Sequence, residues 1–277
     1  MQIITEADKA YTSLIRKILR EGKDHKDRTG TGTKRIFGES IRFNVREQFP
    51  IVTLKKSPFK NTVRELIWFL SDPSCNIENL KALGGSAFKW WSPFSQPDGS
   101  IGPMYGTQLN TYNNTSLNQL SSLIKSINDN PNSRRHLLTT YNPLQAEAGS
   151  LFPCHGLLTQ FSVDNGVLNM STLQRSADLS LGVPSNWISY ALLFHLVAAL
   201  TNLTVGHMYY VMNDVHIYND HLSTMTELEQ NFVFSYSNPS FSLVNVSPYT
   251  DLSSLSLDNF RLSSYSHGGF YNLSMSV

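Results

Sequence analysis

Two cysteines occur in the chain, Cys75 and Cys154, and the second sits in FPCHG between Pro153 and His155. A thiol attacks as its thiolate, so a nucleophilic role requires nearby positive charge to lower its pKa. Arg175 is a source of that charge, because the chain after Cys154 reads as a strand, turns at Asp164, Asn165 and Gly166, and returns toward Arg175. The plainer reading of a lone cysteine is a small buried apolar filler. In QRSAD, residues 174–178, Arg175, Ser176 and Asp178 fall together at a strand end. Arg175 and Ser176 suit a phosphate and Asp178 suits a ring N–H or an amino group, although a surface ion-pair cluster has the same composition.

Other residues suit an anionic ligand. Arg134 and Arg135 in SRR offer two guanidinium forks, and Arg28 in DRTGTG lies beside glycines that let a loop close over an anion; solvated arginines are the ordinary alternative. In NDVHIYNDH, residues 213–221, His216 and Tyr218 alternate, so on a strand they share a side and suit a sugar hydroxyl; a core histidine fits equally well. No set of cysteine, histidine and carboxylate has zinc spacing, and TGTGTK matches neither a phosphate-loop nor a dinucleotide glycine fingerprint.

These groups need a scaffold, and the pattern predicts an α+β fold in a single domain spanning residues 1–277. Tyr11, Leu14, Ile15 and Ile18 fall at helical spacing ahead of Gly22, a C-cap candidate. Helical spacing recurs from Lys60 to Leu70 and from Leu117 to Ile127, the latter ending in an Asn/Pro/Ser turn that exposes the two arginines. KRIFGESIRFNV, HMYYVM and FSLVNV read as strands, and LLTQFSV with VLNMSTL reads as a hairpin. The run from Trp187 to Leu200 is apolar on every side and too short for a bilayer span, which predicts a helix through the core and no membrane association. A formal charge of +1 argues against a dominant nucleic-acid surface, including RNA binding as the main activity. Two cysteines are too few for a disulfide scaffold, and the first residues lack a signal-peptide pattern, so a cytoplasmic protein is expected.

Taken in chain order, DRTGTGT, ELIWFL, GPMYG, NPNSRR, FPCHG, QRSADLSLGVPSN and NDVHIYNDH resemble the thymidylate synthase family over residues 27–277. The resemblance implies a mixed sheet packed against helices and a homodimer formed through the sheet face. It implies that Cys154 adds to carbon 6 of deoxyuridylate (dUMP), making carbon 5 nucleophilic toward the one-carbon unit of 5,10-methylenetetrahydrofolate, with no metal. The phosphate would be held by Arg28, Arg175 and Ser176, with Arg134 and Arg135 reaching across from the partner subunit. Asn186 matches the uracil-reading asparagine, which favours dUMP over a cytosine nucleotide, and Gln174 joins the substrate-binding set. His216 and Tyr218 would hold the 3'-hydroxyl, Glu65 would organise water for proton transfer at O4, and His155 and Tyr105 would complete the polar site. On the folate side the resemblance assigns Asp178 to the pterin, Lys55 to the glutamate tail, Trp91 to the transferred carbon, and the terminal carboxylate of Val277 to closure.

The chain departs from the family pattern at three places, all expected near the pocket. Ser92 follows Trp91 where aspartate is usual, after an insertion; Ser185 replaces a phenylalanine, with Trp187 after Asn186; and Asn213 replaces a glycine. The methylene intermediate has two fates: hydride gives thymidylate and dihydrofolate, whereas water gives 5-hydroxymethyl-dUMP and tetrahydrofolate. Trp91 and the C-terminal closure, both means of excluding water, favour the synthase, with the hydroxymethylase as the alternative.

Overall fold

The computed structural model describes residues 3–276, so Val277, expected to close the site, lies outside the described residues. The chain begins with α1 (Glu6–Glu21), whose apolar stripe buries Tyr11, Leu14, Ile15 and Ile18. Thr5 accepts from the Asp8 N–H as N-cap, and Gly22 ends the helix in extended backbone. Glycine is required there by space, since a Cβ would lie 2.4 Å from the Ile18 carbonyl oxygen.

The remaining elements follow as β1 (Lys23–His25), β2 (Thr33–Asn44), α2 (Phe59–Ser71), α3 (Ile77–Ala82), α4 (Phe88–Trp91), α5 (Gly106–Asn110) and α6 (Gln119–Asp129). Then come β3 (Leu137–Leu138), β4 (Thr159–Asp164), β5 (Val167–Asp178), α7 (Gly182–Leu200), β6 (Thr204–Tyr218), α8 (Leu222–Gln230), β7 (Ser240–Leu243) and β8 (Phe260–Ser263). Six strands form one sheet in the order β1-β2-β6-β5-β4-β3, with β5 and β6 parallel and every other neighbour antiparallel. This is the expected α+β architecture with a mixed sheet against helices. The β4–β5 hairpin turns at Asn165 (φ 49°) and Gly166 (φ 80°), the left-handed pair that a tight two-residue turn demands.

The parallel pairing of β5 with β6 needs a crossover, and α7 supplies it. Its residues are buried almost all round, with Trp187 fully enclosed and edge-on to Phe43 at 4.9 Å and Tyr11 at 6.4 Å. By length and apolarity α7 passes the test for a membrane span, yet here it is the centre of one hydrophobic cluster.

Three expectations are adjusted. The helix expected from Trp187 starts at Gly182, with Pro184 in its first turn where a missing N–H costs nothing, so Asn186 is helical. HMYYVM and the His216 segment form one strand of 15 residues rather than two. FSLVNV is a strand only as far as Leu243, because Asn245 turns into left-handed backbone (φ 55°), and its partner β8 had no distinct signal.

Candidate active site

The carboxyl ends of β5 and β6, the start of α7, and side chains from α2 and α4 enclose a cleft of about 2110 Å³. Cys154 lies on its wall, half-buried, in the segment entering β4. The Arg175 N–H donates to the Cys154 carbonyl at 2.7 Å, which ties that segment to β5. The Arg175 guanidinium donates to the carbonyls of Pro153 (3.1 Å) and Phe152 (3.2 Å) and reaches the Cys154 sulfur at 3.8 Å. The hairpin therefore brings thiol and cation together as its turn implied.

Burial pushes the Cys154 thiol above its ordinary pKa, and the charges of Arg175 and then Arg28 oppose this without cancelling it. The guanidinium does not by itself deliver a standing thiolate. Cys75 is fully buried, its thiol driven up to about 12 by desolvation, and it fits the role of core filler.

Beside the sulfur, Tyr105 accepts the Cys154 N–H at 3.0 Å and stacks between Phe69 and His155, with centroids at 5.0 and 4.6 Å. The His155 Nδ1 lies 2.9 Å from the Tyr190 hydroxyl, and burial lowers its pKa to about 4, so the ring is neutral near pH 7. Gly156 explains the last letter of FPCHG: a Cβ there would fall 1.9 Å from that hydroxyl. Glu65, on α2, is buried and accepts the Trp91 indole N–H at 2.7 Å; desolvation raises its pKa to about 7 while the indole bond opposes the rise.

Asn186 is held from behind. Gln174 Nε2 donates to its Oδ1 at 3.0 Å and to the Ser176 carbonyl at 2.9 Å, while the Tyr210 hydroxyl donates to Gln174 Oε1 at 2.7 Å. With Oδ1 engaged, the Asn186 amide group is the free donor, matched to a carbonyl acceptor in the cleft. His216 and Tyr218 both line the cleft, rings edge-on at 5.3 Å, and His216 Nδ1 meets Asp214 Oδ1 at 3.1 Å. Arg35, across on β2, pairs with the same carboxylate. Desolvation works against that carboxylate, but the His216 bond and Arg35 keep Asp214 below the usual carboxylate range. Asp214 was readable from its place two before His216; Tyr190, Tyr210 and Arg35 carried no local signal.

Arg28, Ser176 and Asp178 also line the cleft. Asp27, which accepts the Gly32 N–H at 3.1 Å and the Thr29 hydroxyl at 2.7 Å, shapes the loop that carries Arg28. Arg134 and Arg135 are exposed between α6 and β3 and are absent from the cleft lining of their own chain. Lys55 is the most enclosed of the lysines there. It is 7% exposed, its ammonium donates to the Ser180 carbonyl at 2.7 Å, and burial lowers its pKa to about 8 against the opposing charge of Asp178. Lys55 still lines the cleft, and Lys56, Lys60 and Lys89 stand exposed on its rim. Of the three departures, Ser185 lines the cleft, whereas exposed Ser92 and half-buried Asn213 do not. Trp187, one helical step from Asn186, points into the core. Among the described residues no group of three or more histidines, cysteines or carboxylates converges as a metal site.

Fold and cleft define a class, the α+β enzymes that hold a cysteine against an arginine at the end of a mixed sheet. Comparison with known proteins narrows it: the thymidylate synthase family matches residues 9–277, and the chain belongs to that family. Thymidylate synthase from Corynebacterium aurimucosum is 39% identical over 226 residues, covering 80% of this chain and 82% of that relative.

Proposed function

We propose that this enzyme converts dUMP and 5,10-methylenetetrahydrofolate to thymidylate and dihydrofolate. The observation that carries the reading is the Cys154 sulfur 3.8 Å from an Arg175 guanidinium nitrogen, in the cleft that Asn186 also lines. As the sulfur adds to carbon 6 the thiol proton passes to water in the cleft and the ring's electron pair moves toward carbon 5 and O4; once carbon 5 has gained the one-carbon unit it gives up its own proton to water, and expulsion of the sulfur restores the double bond. Arg175, Arg28 and Ser176 bind the phosphate, and the anion's arrival draws Arg175 between phosphate and sulfur. Asn186 donates to O4, and Glu65, poised near neutrality, moves a proton at that oxygen through water. His216 and Tyr218 hold the 3'-hydroxyl. Tyr105 and neutral His155 keep the Cys154 backbone in place and complete the polar wall.

The cleft is about 2110 Å³, larger than the roughly 300–1,000 Å³ of a single small-molecule pocket, which suits two ligands side by side. Folate, when bound, supplies the one-carbon unit and then the hydride. Asp178 suits the pterin N–H groups, Trp91 packs near the transferred carbon and limits water, and Lys55, with the rim lysines beside it, attracts the anionic tail. The chain acts as one catalytic domain. Exposed Phe37, Leu137 and Tyr209 on sheet strands support a homodimer through the sheet, with Arg134 and Arg135 lent to the partner's phosphate. Two unpaired cysteines suit a reducing cytoplasm.

Mass spectrometry of the enzyme with 5-fluoro-dUMP and methylenetetrahydrofolate tests the nucleophile: a covalent ternary adduct on the Cys154 peptide is expected, and no adduct removes the assignment. With dUMP itself, thymidylate and a rise in dihydrofolate absorbance are expected. A hydroxymethyl nucleotide without dihydrofolate would instead identify water as the final reactant.

A further inference from the structure

The turn Asn219–His221, just after β6, has no part in the chemistry above, yet it touches two segments that wall the cleft. Toward the Arg28 loop, the Asn219 N–H donates to the Gly32 carbonyl at 3.0 Å and the Asn219 amide donates to the Thr31 carbonyl at 3.3 Å. Gly32 permits this approach, since a Cβ there would lie 2.6 Å from the Asn219 amide nitrogen. Toward the C-terminal tail, His221 Nε2 lies 2.8 Å from the Ser274 carbonyl oxygen. A carbonyl only accepts, so Nε2 carries the proton. His221 is 2% exposed, its Nδ1 has no partner among the described residues, and Asp220 Oδ1 stands 3.8 Å from Nε2. Loop and tail also meet directly, the Thr31 and Ser276 hydroxyls being 3.2 Å apart.

The tail needs such an anchor. Residues 271–276 belong to no helix or strand, and Leu273, Met275 and Ser276 line the cleft. A segment without a backbone ladder holds one conformation only if specific contacts offset its lost freedom. Among the described residues, the hydrogen bonds of 274–276 are those to His221 and Thr31. The His221 ring is also edge-on to Tyr218, 6.1 Å between centroids, so one side chain touches both the nucleotide wall and the tail.

We propose that the Asn219–His221 turn fastens the C-terminal tail to the Arg28 loop, with His221 the positioning residue that sets the tail over the folate half of the cleft. Its kinetic consequences rest on the proposed function, but the fastening itself does not. The test is limited carboxypeptidase digestion of the full-length protein, with steady-state kinetics beside it. His221→Phe keeps a ring against Tyr218 and removes the donor; His221→Gln keeps a donor. In His221→Phe, release of the last residues is expected to be about tenfold faster, and the folate KM to rise about tenfold while the dUMP KM stays within about twofold. His221→Gln should recover much of both. Thr31→Val, altering a half-buried loop position, should loosen the tail in the same direction and decides the matter if His221→Phe does not fold. Unchanged tail digestion in both His221→Phe and Thr31→Val overturns the proposal. So does an equal rise in both KM values, which would reduce His221 to a support for Tyr218. A wild-type protein with no turnover would remove the proposed function while leaving the digestion result decisive for the tail.

Discussion

Trp91 donates its indole N–H to the Glu65 carboxylate at 2.7 Å, and both side chains are buried in the cleft wall. The bond joins the residue proposed to limit water with the residue proposed to move a proton. Burial holds the Glu65 pKa near 7, above the 4.5 of an unburied glutamate, and the indole bond works against that rise.

A pH-dependent stability follows. Between about 4.5 and 7 the folded state binds the Glu65 proton more tightly than the unfolded chain. Its stabilising contribution is complete below the lower value and is lost as pH rises through the upper one. Chemical denaturation from pH 4.5 to 8.5 should show a loss that Glu65→Gln reduces by up to ~3 kcal/mol. An unchanged slope in that variant would refute the assignment.

Two half-buried histidines act at the acid end with the opposite sense. His155 and His195, the latter tilted against Phe49 and edge-on to Phe241, have pKa values lowered by desolvation from 6.5 to about 4. The unfolded chain takes up protons first, so their contribution is present above 6.5 and lost as pH falls through about 4. His195→Phe, remote from the cleft lining, should lessen the fall in Tm between pH 6.5 and 4 without altering turnover. A wild-type acid profile in that variant would count against the neutral ring.

Arg175 lowers the Cys154 pKa against the larger effect of burial. Its replacement by glutamine should therefore slow iodoacetamide alkylation of Cys154 at pH 8 by about tenfold, since the thiolate fraction falls tenfold per pKa unit. Cys154→Ala should abolish turnover and retain nucleotide binding by calorimetry. Alkylation of Arg175→Gln at the wild-type rate would dissociate the cation from the thiol.

Base selection is expected to follow the Asn186 amide. Asn186→Asp replaces the donor facing a uracil O4 by an acceptor, and kcat/KM should shift toward deoxycytidylate by at least about tenfold relative to dUMP. Competition assays with both nucleotides measure this, and an unaltered preference would remove Asn186 from the reading of the base.

Much of this site was legible as local pattern. The hairpin turn at Asn165 and Gly166 needs left-handed backbone that few residues adopt, and it correctly brought Arg175 back to Cys154. The apolar stripe of α1 and the all-round apolar run of α7 likewise announced their burial. Lys55 was not legible in the same way. Its position beside Lys56 says nothing of which ammonium is enclosed; that depends on the turn after β5, which brings the Ser180 carbonyl to it across 125 residues of chain. The Tyr210–Gln174–Asn186 chain of hydrogen bonds likewise requires β5, β6 and α7 to be adjacent.

Residue types and short spacings were enough for the kinds of group available and for the elements bearing them, because caps, turns and periodicity act over a few residues. Which distant groups meet was settled by strand order. Placing β6 between β2 and β5 seats His216 beside Arg35 on one side and Asp178 on the other. Burial then assigned the charges, raising Glu65 toward neutrality and holding His155 neutral. Desolvation depends on everything packed around a group, which no stretch of neighbouring residues specifies.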